Sequence, residues 1–187
     1  KMIKEIEKGT ISNSKFINNN APYGGAVYVN EGNNFAVVGS KFIKNNRETQ
    51  ENMLLISQGD MWQGSVESNE TKGQLVTEWM NDLEFASMTL GNHEYDWGKE
   101  YISKNAALAN FPTLGINVID LNTGVRADYC DASTIVERGG AKIGIIGAIG
   151  DCYSSISSSK VKDVRFLVGD ELTALVKAES EKLCYRI

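Results

Sequence analysis

Two short stretches carry residue types that an ordinary turn does not need. The first is Gly59-Asp60, directly after the apolar run Leu54–Ser57. The second is Gly91-Asn92-His93-Glu94, directly after Ser87–Leu90. Asp60 and Asn92 offer hard oxygen donors. A carboxylate can bridge two divalent cations, and two cations about 3.5–4 Å apart clamp a phosphate ester. The glycine before each donor lets the backbone turn sharply as it leaves a strand. His93 is the only histidine in the chain, and beside a metal ligand it can protonate a leaving group or stabilise phosphoryl charge. Asp96, three residues on, can orient that imidazole and hold it charged. The candidate set is therefore Asp60 and Asn92 as metal ligands, with His93 and Asp96 as the catalytic pair.

The elements that must position these residues alternate strand and helix from Met53 onward. Leu54-Leu55-Ile56 reads as a short buried strand. Leu75, Val76, Trp79, Met80 and Leu83 form one apolar helical stripe between Lys72 and Phe85. Ser87–Leu90 is a second strand, a helix is expected from Gly98 to Ala109, and Thr113–Val118 is a third strand. Thr134–Glu137 and Ala141–Ile149 follow, joined at Gly139-Gly140, a hairpin signal. Val164–Val168 reads as a last strand. Asp170 is the expected cap of a final helix with Leu172, Leu175, Val176 and Leu183 facing inward. Strands apolar on both faces in β–α–β order predict an α/β fold with a sheet covered by helices, and ligands lie beyond the carboxyl ends of such strands.

Residues 1–48 differ from the rest. They are rich in Asn and Gly, and Ser14-Lys15-Phe16-Ile17-Asn18-Asn19 returns as Ser40-Lys41-Phe42-Ile43-Lys44-Asn45, an offset of 26 residues. Between the copies lies the β-rich run Gly24–Val29. Asn tolerates the left-handed backbone of tight corners, and short β-rich units at such a period suggest about two coils of a β-solenoid, with a β-hairpin as the alternative. The segment resembles the parallel β-helix repeats of bacterial surface adhesins. The expected organisation is thus a β-rich repeat segment over 1–48 and an α/β domain over 53–187.

Composition excludes several classes. In 187 residues there are 24 acidic and 19 basic side chains, a formal charge of −5, so no basic excess exists for binding a nucleic-acid polymer by phosphate neutralisation. No apolar run reaches the ~20 residues of a membrane-spanning helix. Cys130, Cys152 and Cys184 are too few and too far apart for a disulfide framework and read as three inert buried thiols, with a disulfide between two of them as the alternative. Trp62 and Trp97 flank the two motifs and are expected to shape a pocket wall, while Trp79 belongs to the helix stripe. Gly144, Gly147 and Gly150 read as close packing along a strand rather than a nucleotide loop. The five serines of 154–159 read as a polar loop, and Glu179, Glu181 and Lys182 as a solvated helix face. The chain opens on Lys1 with no export signal, and reads as a mature product or a piece of a longer protein.

From Leu54 to about Lys182 the chain resembles the calcineurin-like metallophosphoesterase superfamily, and within it the 5′-nucleotidase / 2′,3′-cyclic-nucleotide phosphodiesterase family. The resemblance rests on Gly59-Asp60-Met61-Trp62-Gln63-Gly64-Ser65 and on Gly91-Asn92-His93-Glu94-Tyr95-Asp96-Trp97-Gly98. Phe111–Asn117 and Lys142–Gly147 match further family strands in order. It implies an α/β/β/α sandwich and a two-metal centre of the Mn, Zn or Mg class. By that likeness Asp60 bridges the metals, Asn92 binds one, and His93 with Asp96 stabilises the transition state. The implied substrate is a nucleotide or another small phosphate ester, and the implied location is secreted or cell-envelope. The chain also departs from the family pattern. With one histidine it holds neither the Asp-x-His pair that opens the family nor its later histidines. The expectation is therefore a partial, weakly active or inactive phosphoesterase domain. The alternatives are a non-catalytic surface or interaction protein, or a truncated gene fragment.

Overall fold

The computed structural model describes residues 54–186 and, as backbone, 9–12, 15–17, 20–21, 35–38, 41–43 and 46–47. The chain divides into two compact units, Lys1–Met53 and Leu54–Ile187.

Among its described residues the first unit has six short strands: β1 (Gly9–Ser12), β2 (Lys15–Ile17), β3 (Asn20–Ala21), β4 (Phe35–Val38), β5 (Lys41–Ile43) and β6 (Asn46–Arg47). They form three parallel pairs. Gly9 lies opposite Phe35, Phe16 opposite Phe42, and Asn20 opposite Asn46. Every register carries the 26-residue offset of the sequence repeat, so Lys15-Phe16-Ile17 lies on Lys41-Phe42-Ile43. A parallel pair needs a crossover of a dozen or more residues rather than a hairpin turn, so the hairpin alternative is not what these strands adopt. The Gly24–Val29 run lies outside the described residues.

The second unit is α/β. Its elements are β7 (Ile56–Ser57), α1 (Val66–Glu70), α2 (Gln74–Asp82), β8 (Ser87–Thr89), α3 (Lys99–Leu108), β9 (Thr113–Leu114), β10 (Val118–Asp120), β11 (Ser133–Arg138), β12 (Ala141–Ile146), β13 (Val164–Phe166) and α4 (Gly169–Cys184). A parallel sheet of order β7-β8-β9 stands at the centre. β10 pairs antiparallel with β13, and β11 with β12. Gly139 (φ 56°) and Gly140 (φ 77°) make the tight hairpin turn between β11 and β12, the left-handed pair that such turns demand. Ser65 caps α1 by accepting the Ser68 N–H. Met80, Met88, Leu90, Tyr95, Ile102, Phe111, Val118 and Phe166 form the core.

Several expectations are corrected by tertiary context. The segment Thr113–Val118 is two strands, because Gly115–Asn117 turn away: the Gly115 N–H donates to Asp131 and the Val118 N–H back to Gly115. Asn117 is buried there; its amide donates to the Ile149 and Leu167 carbonyls (2.7 and 2.8 Å) and accepts from the Ile149 N–H (3.0 Å). The α2 stripe splits. Met80 is buried and Val76 packs on the core, while Leu75, Trp79 and Leu83 are exposed, because Gly73 and Thr77 face the core with Met80. Val168, not Asp170, precedes the first turn of α4, with no side-chain cap, and Asp170 lies inside that turn. Trp62 is a core residue rather than a pocket wall. A Cβ on Gly73 would fall 2.7 Å from the Trp62 Cβ, so the chain can press this close to the indole only at a glycine. Trp97 is partly buried, with the Lys72 ammonium 5.6 Å from its ring centre. Of the thiols only Cys130 is buried; Cys152 is half-buried and Cys184 exposed, all unpaired. Glu181 and Lys182 are exposed, as a solvated face requires, while Glu179 is turned inward, accepting from Ser133 Oγ (2.5 Å) and Lys182 (3.1 Å). Gly147 does permit close packing, since a Cβ there would meet Thr89 Oγ1 at 2.8 Å.

Candidate functional site

β7 and β8 are neighbours in the parallel sheet, so the loops leaving their carboxyl ends emerge side by side. After β7 the Ser57 hydroxyl accepts the Gly59 N–H (3.1 Å). Gly59 (φ 101°) and Asp60 (φ 58°) then take left-handed backbone. Asp is among the few side chains that tolerate this region. After β8 the chain passes Gly91 and Asn92 into a single 3₁₀ turn, His93–Tyr95. The two loops touch through backbone: a Cβ on Gly59 would lie 2.8 Å from the Gly91 Cα and 2.9 Å from the Thr89 carbonyl.

The side chains converge accordingly. Asp60 Oδ1 accepts the His93 N–H at 3.0 Å, bridging the two loops. The Asp60 carboxylate is otherwise exposed. The Asn92 amide makes no cap bond and has no partner among the described residues. His93 Nδ1 lies 2.8 Å from Asp96 Oδ2, with side-chain exposures of 39% and 29%. The Asp96 carboxylate favours a proton on Nδ1 and leaves Nε2 outside this hydrogen bond. The Asp96 hydrogen bond raises the His93 pKa above its ordinary value against a smaller opposing effect of burial, and the charges of Asp96, Asp60 and Glu94 add to the rise. Asp60, Asn92, His93 and Asp96 are thus brought to one place.

Glu94 is the residue that reasoning from sequence missed. Its side chain is fully buried. One oxygen, Oε2, accepts the N–H groups of Asp60 and Gly91, both at 2.8 Å, and Oε1 accepts the Met61 N–H at 2.8 Å. Burial raises its pKa, and the three N–H donors oppose the rise. The signal in the sequence was an acid following His93 in a segment that buries itself. Tyr95 is likewise fully buried, its ring edge-on to Tyr129 and Phe166, its hydroxyl 3.3 Å from that of Tyr129. It supports the turn from beneath. A cavity of about 360 Å³ lined by Ser103, Phe111, Thr113, Asp128, Tyr129 and Asp131 includes none of the four candidate residues.

A divalent cation of the hard class takes several oxygen donors at one place. Asp60 and Asn92 present oxygen donors that protein partners leave largely unclaimed, which suits part of a coordination sphere. Among the described residues no group of three or more His, Cys, Asp or Glu side chains could hold a metal ion. Asp60 and Asn92 by themselves could thus supply only part of the donors such an ion takes.

No family model matches the chain. Individual relatives and solved structures do match part of it. A probable 5′-nucleotidase of Treponema pallidum is 33% identical over 135 residues, covering 72% of this chain and 22% of that protein. The crystal structure of a 5′-nucleotidase precursor from Thermus thermophilus superposes with a TM-score of 0.62 at 30% identity, covering 73% of this chain and 26% of that one. A calcineurin-like phosphoesterase from Bacillus subtilis shares the fold with a TM-score of 0.51, at 22% identity, over 65% of this chain and 40% of that one. The fold is thus that of the 5′-nucleotidases and calcineurin-like phosphoesterases. About three quarters of the chain forms a partial region related to the 5′-nucleotidases, and the chain spans 22% and 24% of the length of two curated relatives, the second an apyrase of Tabanus yao.

Proposed function

We propose that the Leu54–Ile187 unit is part of a metal-dependent phosphoesterase of the 5′-nucleotidase type that acts on nucleotide phosphate esters. The observation that carries this reading is the hydrogen bond from the His93 N–H to Asp60 Oδ1, which puts an acid, an amide and an imidazole at adjoining strand ends. Asp60 and Asn92 would hold the cation, and a bound cation would neutralise phosphate charge and acidify a water molecule. His93, whose protonated form Asp96 favours, would in that form present an Nε2–H to a phosphoryl oxygen or to the departing alkoxide. In the hydrolysis one P–O ester bond would break, water oxygen would join phosphorus, the leaving alkoxide would take a proton from His93, and the proton released by the attacking water would restore the imidazolium. With two of the ligands on this chain, we expect weak or absent turnover from the chain alone. The test is Mn²⁺-dependent hydrolysis of AMP and of a chromogenic phosphodiester, with His93→Ala as control. Activity that survives that substitution rejects the assignment of His93.

A second reading concerns the first unit. Its three parallel strand pairs at one 26-residue offset support a short β-helix of the kind found on bacterial surfaces, and with it a non-catalytic interaction role and a secreted or envelope location. Metal-independent binding of the full chain to bacterial cell envelopes, lost when residues 1–48 are removed, would favour it. Among the described residues no helix is long and apolar enough to cross a membrane.

A further inference from the structure

We infer that Glu94 is a positioning residue: its buried carboxylate holds Asp60 in left-handed backbone and sets the spacing between the Asp60 loop and the Asn92–His93 loop. The inference deepens the phosphoesterase reading and rests on it for the identity of the ligands. Left-handed backbone at a non-glycine residue is unfavourable and persists only where its surroundings impose it. Here the surroundings are explicit. The Gly59–Asp60 turn aims the successive N–H groups of Asp60 and Met61 to one side, as an anion-binding concavity does. The anion that fills it is the protein's own Glu94. The same oxygen that takes the Asp60 N–H also takes the Gly91 N–H from the other loop. One carboxylate therefore ties three backbone donors from both strand ends, and Asp60 and Asn92 are each bonded in sequence to a residue it holds. Glu94 itself is fully buried and points inward, so it acts through Asp60.

The chemistry requires a carboxylate. Glutamine has one acceptor oxygen and one NH₂ donor, so at least one of the three N–H groups would face another donor. Aspartate keeps the charge on a shorter stem. The test uses the full chain with Glu94→Gln and Glu94→Asp. Two readouts are taken: amide hydrogen exchange by NMR, and Mn²⁺ affinity by calorimetry. In Glu94→Gln, exchange at Asp60, Met61 and Gly91 should quicken at least about tenfold, the factor carried by one such bond. The Met88 and Leu90 amides, which donate to Pro112 and Leu114 in the sheet, should keep their protection. Mn²⁺ affinity should fall about tenfold or more, with Glu94→Asp intermediate in both readouts. Unchanged exchange at the three amides would overturn the inference. So would quickened exchange with parental Mn²⁺ affinity, which would make Glu94 a structural residue only. If Glu94→Gln fails to fold, the Glu94→Asp series decides by the same two criteria. A parent chain that binds no Mn²⁺ would sink the metal reading and the positioning role with it, while selective amide exchange would still report the clasp, so the two failures are told apart.

Discussion

Gly91→Ala adds one methyl group where the two loops meet. Gly91 is not among the residues with positive φ, so alanine can adopt its backbone and the cost is one of contact alone. The new Cβ would overlap Asp60 Oδ1 and lie 2.8 Å from the Asp60 amide nitrogen, where ordinary contact begins near ~3.5 Å. Either the Asp60 carboxylate swings away and gives up the His93 N–H, or the loops part and stretch the bonds to Glu94. Overpacking of this kind costs about 1–3 kcal/mol. The lost hydrogen bond adds little, because Asp60 is exposed and water replaces the donor. A loss of about 2 kcal/mol is expected, a fall in melting temperature of about 6–10 °C for a unit of this size. All three tryptophans, Trp62, Trp79 and Trp97, lie in the second unit, so selectively excited tryptophan fluorescence reports its unfolding alone. Gly150→Ala is the control: a Cβ there meets nothing within 4 Å, so stability should stay within about 0.5 kcal/mol of the parent. A Gly91→Ala variant as stable as the Gly150→Ala variant would refute the close approach of the loops.

Three further outcomes follow from the same coordinates. Asn117→Leu should destabilise the second unit by about 3–5 kcal/mol, read as a lower urea midpoint, because it strands the Ile149 N–H and the Ile149 and Leu167 carbonyls in the interior. His93, the single histidine, should titrate above 6.5 by NMR in metal-free protein, and Asp96→Asn should bring it down. The stability that the His93–Asp96 pair adds is then fully present below the unfolded value near ~6.5 and is lost as pH rises through the higher folded value; titration at or below 6.5 would contradict the pairing. With a thiol reagent Cys184 should react first, being exposed. Cys152, pushed up by burial to about 11, should be slow, and buried Cys130, pushed up to about 12, should react only on unfolding.

Much of the site was legible because its signals are local. Gly-Asp and Gly-Asn-His-Glu each follow an apolar strand, and Asp96 sits within one turn of His93, so a single 3₁₀ turn suffices to join the imidazole to its carboxylate. The hairpin at Gly139-Gly140 was legible for the same reason: two residues whose backbone freedom is their signature. Helix α2 was legible as a helix, but not in which side it buries. Leu75 and Trp79 satisfy the apolar period as well as Val76 and Met80 do, and only the position of Trp62 against Gly73 decides which side turns inward.

By itself, then, the sequence determined which residue types leave the strand ends, where the tight turns fall, and that the first 48 residues repeat at 26. Those properties belong to neighbouring residues, and short-range sterics and periodicity suffice to express them. The tertiary structure alone decided that Glu94 ties Asp60, Met61 and Gly91 together, that Asn117 breaks a strand to reach Ile149 and Leu167, and that Asp60 meets the His93 amide. Most of these bonds join residues more than thirty positions apart. A buried carboxylate or amide is worth its desolvation only when its donors and acceptors arrive from other elements, and no local pattern announces which elements those will be.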